Sequence, residues 1–563
     1  MSSFIKSLKW SPTSLKTDLS ASLTVALVSI PEGMAYAMVA GVNPVYGLYT
    51  GMVTTLVAAL TSSTSLLVVT LTNALALVTA DKLKVLSPDM DPVRAMFTLT
   101  MLTGLIMFIL GVFKLGSVIR FVSREVMSGF IFATALLIVL GQYKDLVGYS
   151  SQLDANKLVK AIDITLHIQD WNFQAAILGA ASIIFLLVMK RTALKRFADI
   201  LGILFTTAMV MLLQWGNVEL VGDIAAIPSG LSALPKPVLP DFSAIPLLLT
   251  GAIAAAVVGL AESSGVGSAF PNPDGKKSNM SRDFTAQGLG NLFGSIFQAM
   301  PAGGSLSRTG VNKSGGAQTR WAGIYSAVLL AVIVVLFGAY AMLIPMCGLA
   351  ALLIVIGFEV MIKEGKELTE AWQISRMNVS IAMITIIVGI FADLTSAIFT
   401  GVILSLLAFA AVSGIKFEIK QWIRDARGAW LEKPYLKEPM VNQAIILEIV
   451  GNWNFALVYS LDELLPEPEK LKNSVVVLHS RDRVATSLTG IEWAREYARN
   501  MKLNGNQVMM SGVNPEMMEK FKNLGIIKSL GEENIFIEQP EFGAAMKKAL
   551  DAANRWIEAN QEA

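Results

Sequence analysis

Long apolar runs follow one another from residue 18 to residue 413, and no other feature of the sequence limits the fold as strongly. A helix needs roughly 20 apolar residues to cross the hydrocarbon core of a bilayer, where every backbone group must be satisfied internally. Long runs of this kind lie near 18–40, 44–62, 93–113, 125–143, 172–190, 197–215, 245–268, 284–300, 321–344, 345–362, 377–393 and 395–413. Two further apolar segments are short and interrupted. LVVTLTNALALVTA (67–80) follows the polar run Thr61-Ser62-Ser63-Thr64-Ser65, and SLSRTGVNKSGG (305–316) follows Met300-Pro301-Ala302-Gly303-Gly304.

Counting both gives 14 segments, with the short pair third and tenth, hence third in each half of a seven-plus-seven arrangement. Matching interrupted segments in corresponding places point to an inverted-repeat transporter. Seven is odd, so the second half is inserted upside down. The two half-helices then enter from opposite sides with their N-termini near the midplane. The repeat rests on this placement and not on residue similarity between the halves.

Charge supports a membrane body with an aqueous tail. Only 16% of the 563 residues are charged, against about 25% in soluble domains. From Leu431 onward there are 15 Lys/Arg and 19 Asp/Glu, whereas the preceding part has 30 and 24. The basic opening MSSFIKSLKWSPTSLK precedes an apolar run too long for a cleaved signal, so the first span is expected to be retained, with Lys6, Lys9 and Lys16 cytoplasmic. Lys190, Arg191, Lys195 and Arg196, then Lys276, Lys277 and Arg282, then Lys363, Lys366 and Arg376 fall in loops on that same side. The Pro-rich stretch 222–246 falls on the other. The single cysteine, Cys347, excludes an internal disulfide and a cysteine zinc site, and His167 and His479 are far apart.

The expected division is a cytoplasmic N-terminus (1–17), a transmembrane transport domain (18–413), an amphipathic linker (414–438) and a soluble domain (439–563). IKFEIKQWIRDARGAW (415–430) reads as an amphipathic segment along the inner surface. Beyond it, AIILEIVG (444–451), SVVVLHS (474–480) and QVMMSGV (507–513) read as strands, and 490–505 and 515–526 as amphipathic helices, a small α/β domain.

The tenth segment carries the strongest functional signal. A helix start offers unpaired N–H groups and about half a positive charge, which attract an anion in a low-dielectric site. Gly303 and Gly304 admit close backbone approach, Ser305 and Ser307 offer hydroxyls, and Arg308 adds a fixed charge. An intramembrane arginine needs a wet cavity or a partner, and the structural alternative pairs it with Glu262 or Glu359. In the third segment, Thr70, Thr72 and Asn73 either cap the helix or touch the ligand. Glu32, Glu262 and Asp393 are intramembrane carboxylates; Glu32 and Glu262 are candidates for a coupling proton or sodium ion, Asp393 for a helix cap. Pro31 and Gly33 are expected to loosen the first helix around Glu32.

The stretches IPEGMAYAMVAGVNPVYGLYTGM (30–52), GLGNLFGSIFQAMPAGGSLSRTGVNKSGGAQTRWAGI (288–324) and MSGVNPEMMEKFKNLGI (510–526) resemble the SulP sulfate-permease family of anion transporters, relatives of prestin and pendrin. The last stretch looks like the STAS domain that ends these proteins. The resemblance covers nearly the whole chain. It implies an α-helical polytopic membrane protein of fourteen segments in a seven-plus-seven inverted repeat, with core and gate domains and a small α/β STAS domain. It also implies elevator movement, homodimers and anion binding between segments three and ten. By motif, Ser307 and Arg308 take the segment-ten anion site, Glu32 and Tyr36 line it from segment one, and Glu262 matches an acid associated with cation coupling. The expected anion-binding set is Glu32, Tyr36, Thr70, Leu71, Thr72, Gly304, Ser305, Leu306, Ser307 and Arg308. The cation-coupling set is Glu262 and Glu32, with sodium at Glu262 as the metal and no other cofactor.

Two departures from the family pattern matter. Val69-Thr70-Leu71 stands where many relatives have Gly-Pro-Phe, and position 32 is Glu where animal relatives often have Gln. An acid beside an anion site opposes the anion unless protonated or paired with a cation, which favours proton- or sodium-coupled symport of a small anion (bicarbonate, sulfate or a dicarboxylate). An anion channel or uncoupled exchanger is the alternative. A nucleobase permease and a sensor feeding the STAS domain are weaker readings. In the STAS-like tail, Ser487-Leu488-Thr489-Gly490 lacks the acid that precedes the phosphoacceptor of soluble relatives, so Thr489 is expected to cap a helix. No Walker loop, glycine fingerprint or triad is present, and no enzyme activity is expected. The expected partners are the anion, the bilayer of the cell membrane, a second copy of the chain and a regulatory protein at the STAS domain, with both termini cytoplasmic and no nucleic acid.

Overall fold

Apolar runs interrupted only by short polar loops produce a bundle of helices, and the computed structural model describes residues 12–115, 122–415, 418–450, 461, 464–479, 488–523 and 525–561. The chain divides into two compact units, residues 1–406 and 407–563.

The first unit opens with α1 (Pro12–Val39) and α2 (Val45–Thr61), then strand β1 (Val69–Thr70) and the short helix α3 (Asn73–Leu83). There follow α4 (Pro92–Val112), α5 (Arg124–Val147), α6 (Lys157–Leu166), α7 (Phe173–Met189) and α8 (Ala198–Leu213). After an extended stretch come α9 (Ile245–Ala269), α10 (Met280–Ile296), strand β2 (Gly303–Gly304) and the short helix α11 (Leu306–Ser314). α12 (Trp321–Phe337), α13 (Met346–Trp372), α14 (Arg376–Phe391) and α15 (Leu394–Ile415) follow, the residues of α15 from Leu407 on being counted with the second unit. Among the described residues, eight helices are long and apolar enough to cross a membrane, and α2, α7 and α14 are shorter apolar helices. α10, α3 and α11 bring these to the fourteen segments expected. The short amphipathic α6 is additional.

The helices pack as two groups. α1–α4 and α9–α12 pack on one another, and α5, α7, α8, α13 and α14 form the second group. α15 belongs with the second group, since Gly401 lies against Val126 of α5 and Thr385 of α14. The seam between the groups is made by α1 and α3 against α5, α8 and α13. Around Glu32, α1 runs unbroken through Pro31. The loosening expected there is replaced by tight packing: a Cβ on Gly47 of α2 would fall 1.9 Å from the carbonyl oxygen of Gly33.

The second unit is built on a six-stranded sheet. Its elements are β3 (Glu418–Arg424), β4 (Trp430–Pro434), β5 (Met440–Val441), β6 (Ala444–Val450), β7 (Leu471–Lys472), β8 (Val475–His479), α16 (Leu488–Leu503), β9 (Gln507–Val513), α17 (Pro515–Asn523), β10 (Ile535–Ile537) and α18 (Ala544–Gln561). The order is β10-β9-β8-β6-β3-β4, while β5 and β7 pair separately. β6, β8, β9 and β10 are parallel, and β3 and β4 are antiparallel. Successive side chains of a strand point to opposite faces. Leu447, Val476 and Val508 accordingly pack with Trp493, Met501 and Phe521, and Ile446, Val475, Val477 and Met509 pack beneath α18. Two buried faces explain the nearly unbroken apolar strands.

Two expectations are corrected here. Residues 418–434, read as part of an amphipathic surface linker, form β3 and β4, so the sheet domain begins well before residue 439. The alternation of Ile419 and Ile423 with charged neighbours has period two, and Trp422 Nε1 donates to Glu448 of β6 at 2.7 Å. Thr489 lies in the first turn of α16 and not at its cap; residues 480–487 before it are outside the described residues.

Candidate anion-binding site

β1 and β2 pair antiparallel, Val69 opposite Gly304 and Thr70 opposite Gly303. Each strand leads directly into a short helix, so the antiparallel pairing sends α3 and α11 away from each other with both N-termini at the crossing. The crossing needs glycine. A Cβ on Gly303 would lie 2.7 Å from Cα of Gly259, and one on Gly304 2.8 Å from Cα of Ser263, both on α9. Asn291 of α10 clamps the approach to β2: its Oδ1 accepts from Ala302 N at 2.8 Å and its Nδ2 donates to Ala302 O at 2.9 Å.

Both helix starts are capped by hydroxyls. Thr72 Oγ1 accepts from Leu75 N at 3.4 Å, and Ser305 Oγ accepts from Arg308 N at 3.3 Å. Thr72 does more than cap, because its hydroxyl also donates to Glu262 Oε2 at 3.0 Å. The Ser305 N–H is already used, donating to Val68 O at 2.9 Å.

Arg308 is the centre of the site and is 1% exposed. Its Nη1 donates to Thr70 Oγ1 at 3.1 Å and to Leu71 O at 2.9 Å, which joins α11 to the entry of α3. Its Nη2 stands 3.2 Å from Glu32 Oε2. That contact is an ion pair without hydrogen-bond alignment, and both Nε and Nη2 lack a hydrogen-bond partner among the described residues. The partner of Arg308 is therefore Glu32, and neither of the two acids weighed from the sequence. Glu359 instead accepts from Lys190 at 2.8 Å, and Glu262 has no basic partner among the described residues, only Thr72.

Tyr36 follows Glu32 by one turn of α1 and is buried. On α11 the faces differ. Arg308 and Thr309 are buried, whereas Leu306 and Ser307 are exposed at the helix start. The structure thus brings Glu32, Arg308, Thr70 and Leu71 together, links Thr72 to Glu262, uses Gly304 and Ser305 as scaffold, and leaves Leu306 and Ser307 facing open space. Asp393 caps α15, accepting from Ser396 N at 2.9 Å.

Sequence reasoning missed Asn291, which fixes β2, and Gln287, whose amide donates to Ser263 Oγ at 2.8 Å. Their signal was present as two buried amides four residues apart in an otherwise small and apolar span. It also missed Lys190, which lies 3.6 Å from Asp199 Oδ1 as well as against Glu359.

A polytopic helical bundle with a buried arginine between two opposed helix starts is the architecture of a membrane transporter for anions. The sequence matches the model of the sulfate permease family over residues 15–385, and the chain belongs to that family. It is 27% identical over 562 residues to the probable sulfate transporter 4.2 of Arabidopsis thaliana, an alignment covering 95% of this chain and 81% of that protein. Its fold is similar to the overall structure of SLC26A9, with TM-score 0.84 at 18% identity over 98% of this chain and 92% of that one. It is also similar to the transmembrane domain of a cyanobacterial bicarbonate transporter, BicA, with TM-score 0.57 at 20% identity, covering 71% of this chain and 99% of that one. The family consists of transporters and not of enzymes.

Proposed function

We propose that the chain is a secondary active symporter of a small oxyanion, with sulfate the first candidate, that carries the anion at Arg308 together with a proton. The observation behind this reading is the Arg308–Glu32 pair, in which a carboxylate of the protein occupies the charge that a substrate would use. An arginine with two unbonded donors is primed for an oxyanion, which it can grip with two parallel bonds. Glu32 competes with that anion while ionised and stops competing once protonated, so a proton and an anion arrive together. Glu262 reinforces the coupling. Glu262 is half-buried and has no basic partner among the described residues; a carboxylate in such a place is costly to keep charged, and a proton or a sodium ion neutralises it.

Several further properties belong to the same reading. The helix group holding β1, β2, α3 and α11 moves as an elevator against the group of α5 and α13. Both termini are cytoplasmic in the cell membrane, the protein works as a homodimer, and the C-terminal α/β domain, of STAS type, receives a regulatory partner. The sulfate assignment draws on the plant relative and the bicarbonate alternative on the cyanobacterial structure.

The test is uptake of radiolabelled sulfate, bicarbonate, fumarate and chloride into proteoliposomes under separately imposed proton and sodium gradients. Accumulation driven by an inward proton gradient is expected, saturable in sulfate. Accumulation that follows sodium and ignores protons moves the coupling ion to Glu262 alone. Single-channel currents without gradient-driven accumulation overturn the symport reading.

A further inference from the structure

Asp81 sits at the wrong end of its own helix. The last turn of α3 carries the negative end of the helix dipole, where a carboxylate is disfavoured and a cation belongs; Lys82 and Lys84 flank it there. The charge is used by a different helix. Asp81 Oδ2 accepts the backbone N–H of Leu394 at 3.1 Å, while its Oδ1 lies 3.6 Å from Lys84 Nζ. Leu394 is the first residue of α15, whose first turn is also held by Asp393. One helix N-terminus therefore carries two carboxylates, one from its own chain neighbour and one from the opposing helix group. A helix start is where a borrowed negative charge is most favourable.

Beside this bond the seam is apolar. Leu77 and Val78 of α3 share one buried cluster with Leu394, Ala397 and Ile398 of α15. Thr395 Oγ1, in the same turn, is buried with no hydrogen-bond partner among the described residues. Asp81 thus joins α3 to α15 by a polar bond at the end of α3 away from Arg308. At the other end of the site the start of α11 is open, with Leu306 38% exposed. A hydrogen bond thus joins α3 to α15 at Asp81, while Ser307 is exposed at the start of α11.

We propose that Asp81 is the outer latch of the transport cycle. Its bond to the N-terminus of α15 holds the α3–α11 unit against the second helix group in the conformation seen here, and breaks when the anion site turns to the other side. α3 is a rigid rod between the two events, with Thr72 at the site and Asp81 at the latch. The inference rests on the reading that the two helix groups move against each other.

The experiment uses the full chain carrying Ser307→Cys in proteoliposomes, labelled from each side with a membrane-impermeant thiol reagent. Cys347, which is 1% exposed, serves as the unreactive background. With Asp81 intact, labelling from the side of the α11 C-terminus dominates and shifts toward the other side under an opposing anion gradient. Asp81→Ala raises labelling from the other side about tenfold, the effect of losing a hydrogen bond to a charged group. Asp81→Asn, which keeps an acceptor for the Leu394 N–H, gives a smaller rise and guards against a misfolded alanine variant. If the gradient shifts labelling but neither substitution does, the latch is wrong and the movement stands. If labelling stays on one side under every gradient, the movement itself fails and the latch with it.

Discussion

Glu32 and Glu262 are two carboxylates tied to the candidate anion site, one through Arg308 and one through Thr72, and they differ in their partners. Glu32 faces a guanidinium at 3.2 Å, and Glu262 faces only the hydroxyl of Thr72 at 3.0 Å. The first is a charge already neutralised inside the protein, available to be displaced. The second, on the proposed reading, takes up a cation from outside. On the proposed reading both acids take part in coupling, Glu32 by releasing Arg308 when it is protonated and Glu262 by taking up a cation. The comparison makes Arg308 the shared hinge, because it holds Glu32 directly and reaches the strand leading to Thr72 through Thr70 and Leu71.

Removing Arg308 breaks the comparison most severely. Arg308→Ala strands Glu32 in a site where it is 4% exposed, and losing one partner of a buried pair costs about 3–5 kcal/mol. The unfolding temperature in detergent is expected to fall sharply and anion uptake to vanish. The double variant Arg308→Ala/Glu32→Ala should regain much of the stability and none of the uptake. A double variant as unstable as the single one would show that Arg308 acts through packing and not through its pairing with Glu32.

The two acids are then separated by their amides. Glu262→Gln keeps the acceptor for Thr72, so stability changes by less than about 1 kcal/mol, while gradient-driven accumulation is lost and anion exchange remains. Glu32→Gln should also lose proton-driven accumulation, but it differs in its pH signature. With the wild-type acid, anion binding is expected to strengthen as pH falls, because protonation would remove the competitor at Arg308. With the amide this dependence flattens, and uptake near neutral pH rises by on the order of tenfold. If both variants show the same pH and gradient dependence, the two acids are equivalent and the distinction drawn from their partners is wrong.

How far the sequence reveals this arrangement depends on the range of the interaction. The fourteen segments are legible because burial in lipid demands long apolar runs, and the two half-helices because Gly303-Gly304 and the polar run before Leu66 interrupt them locally. The Arg308–Glu32 pair is not, since it joins the first helix to the eleventh and several acids compete on composition alone. Asp81 is hidden for the same reason: nothing near it in the chain announces a bond to Leu394. In the tail, β6, β8 and β9 are legible because both their faces are apolar, but β3 has one charged, partly exposed side that mimics a surface segment until its pairing with β6 is seen.

The smallest effect extends the comparison into water. Glu467 is the exposed analogue of Glu32, with Lys470 Nζ at 2.7 Å and Lys437 Nζ at 2.9 Å. Those two hydrogen bonds, Lys470 first, pull its carboxyl down to about 2. Because the folded value is depressed, the stabilisation is present above the unfolded value of about 4.3 and is lost as pH falls toward 2. Solvent and salt screen such a pair, and exposed pairs contribute little. Glu467→Gln should therefore lower the unfolding temperature of the C-terminal unit within the full chain only slightly at pH 7, by about 1 °C or less. The difference should disappear at high salt and again near pH 2. A loss as large as that of Arg308→Ala would mean that pairing itself, and not desolvation, sets the strength of these bonds, and the contrast between buried and exposed acids would collapse.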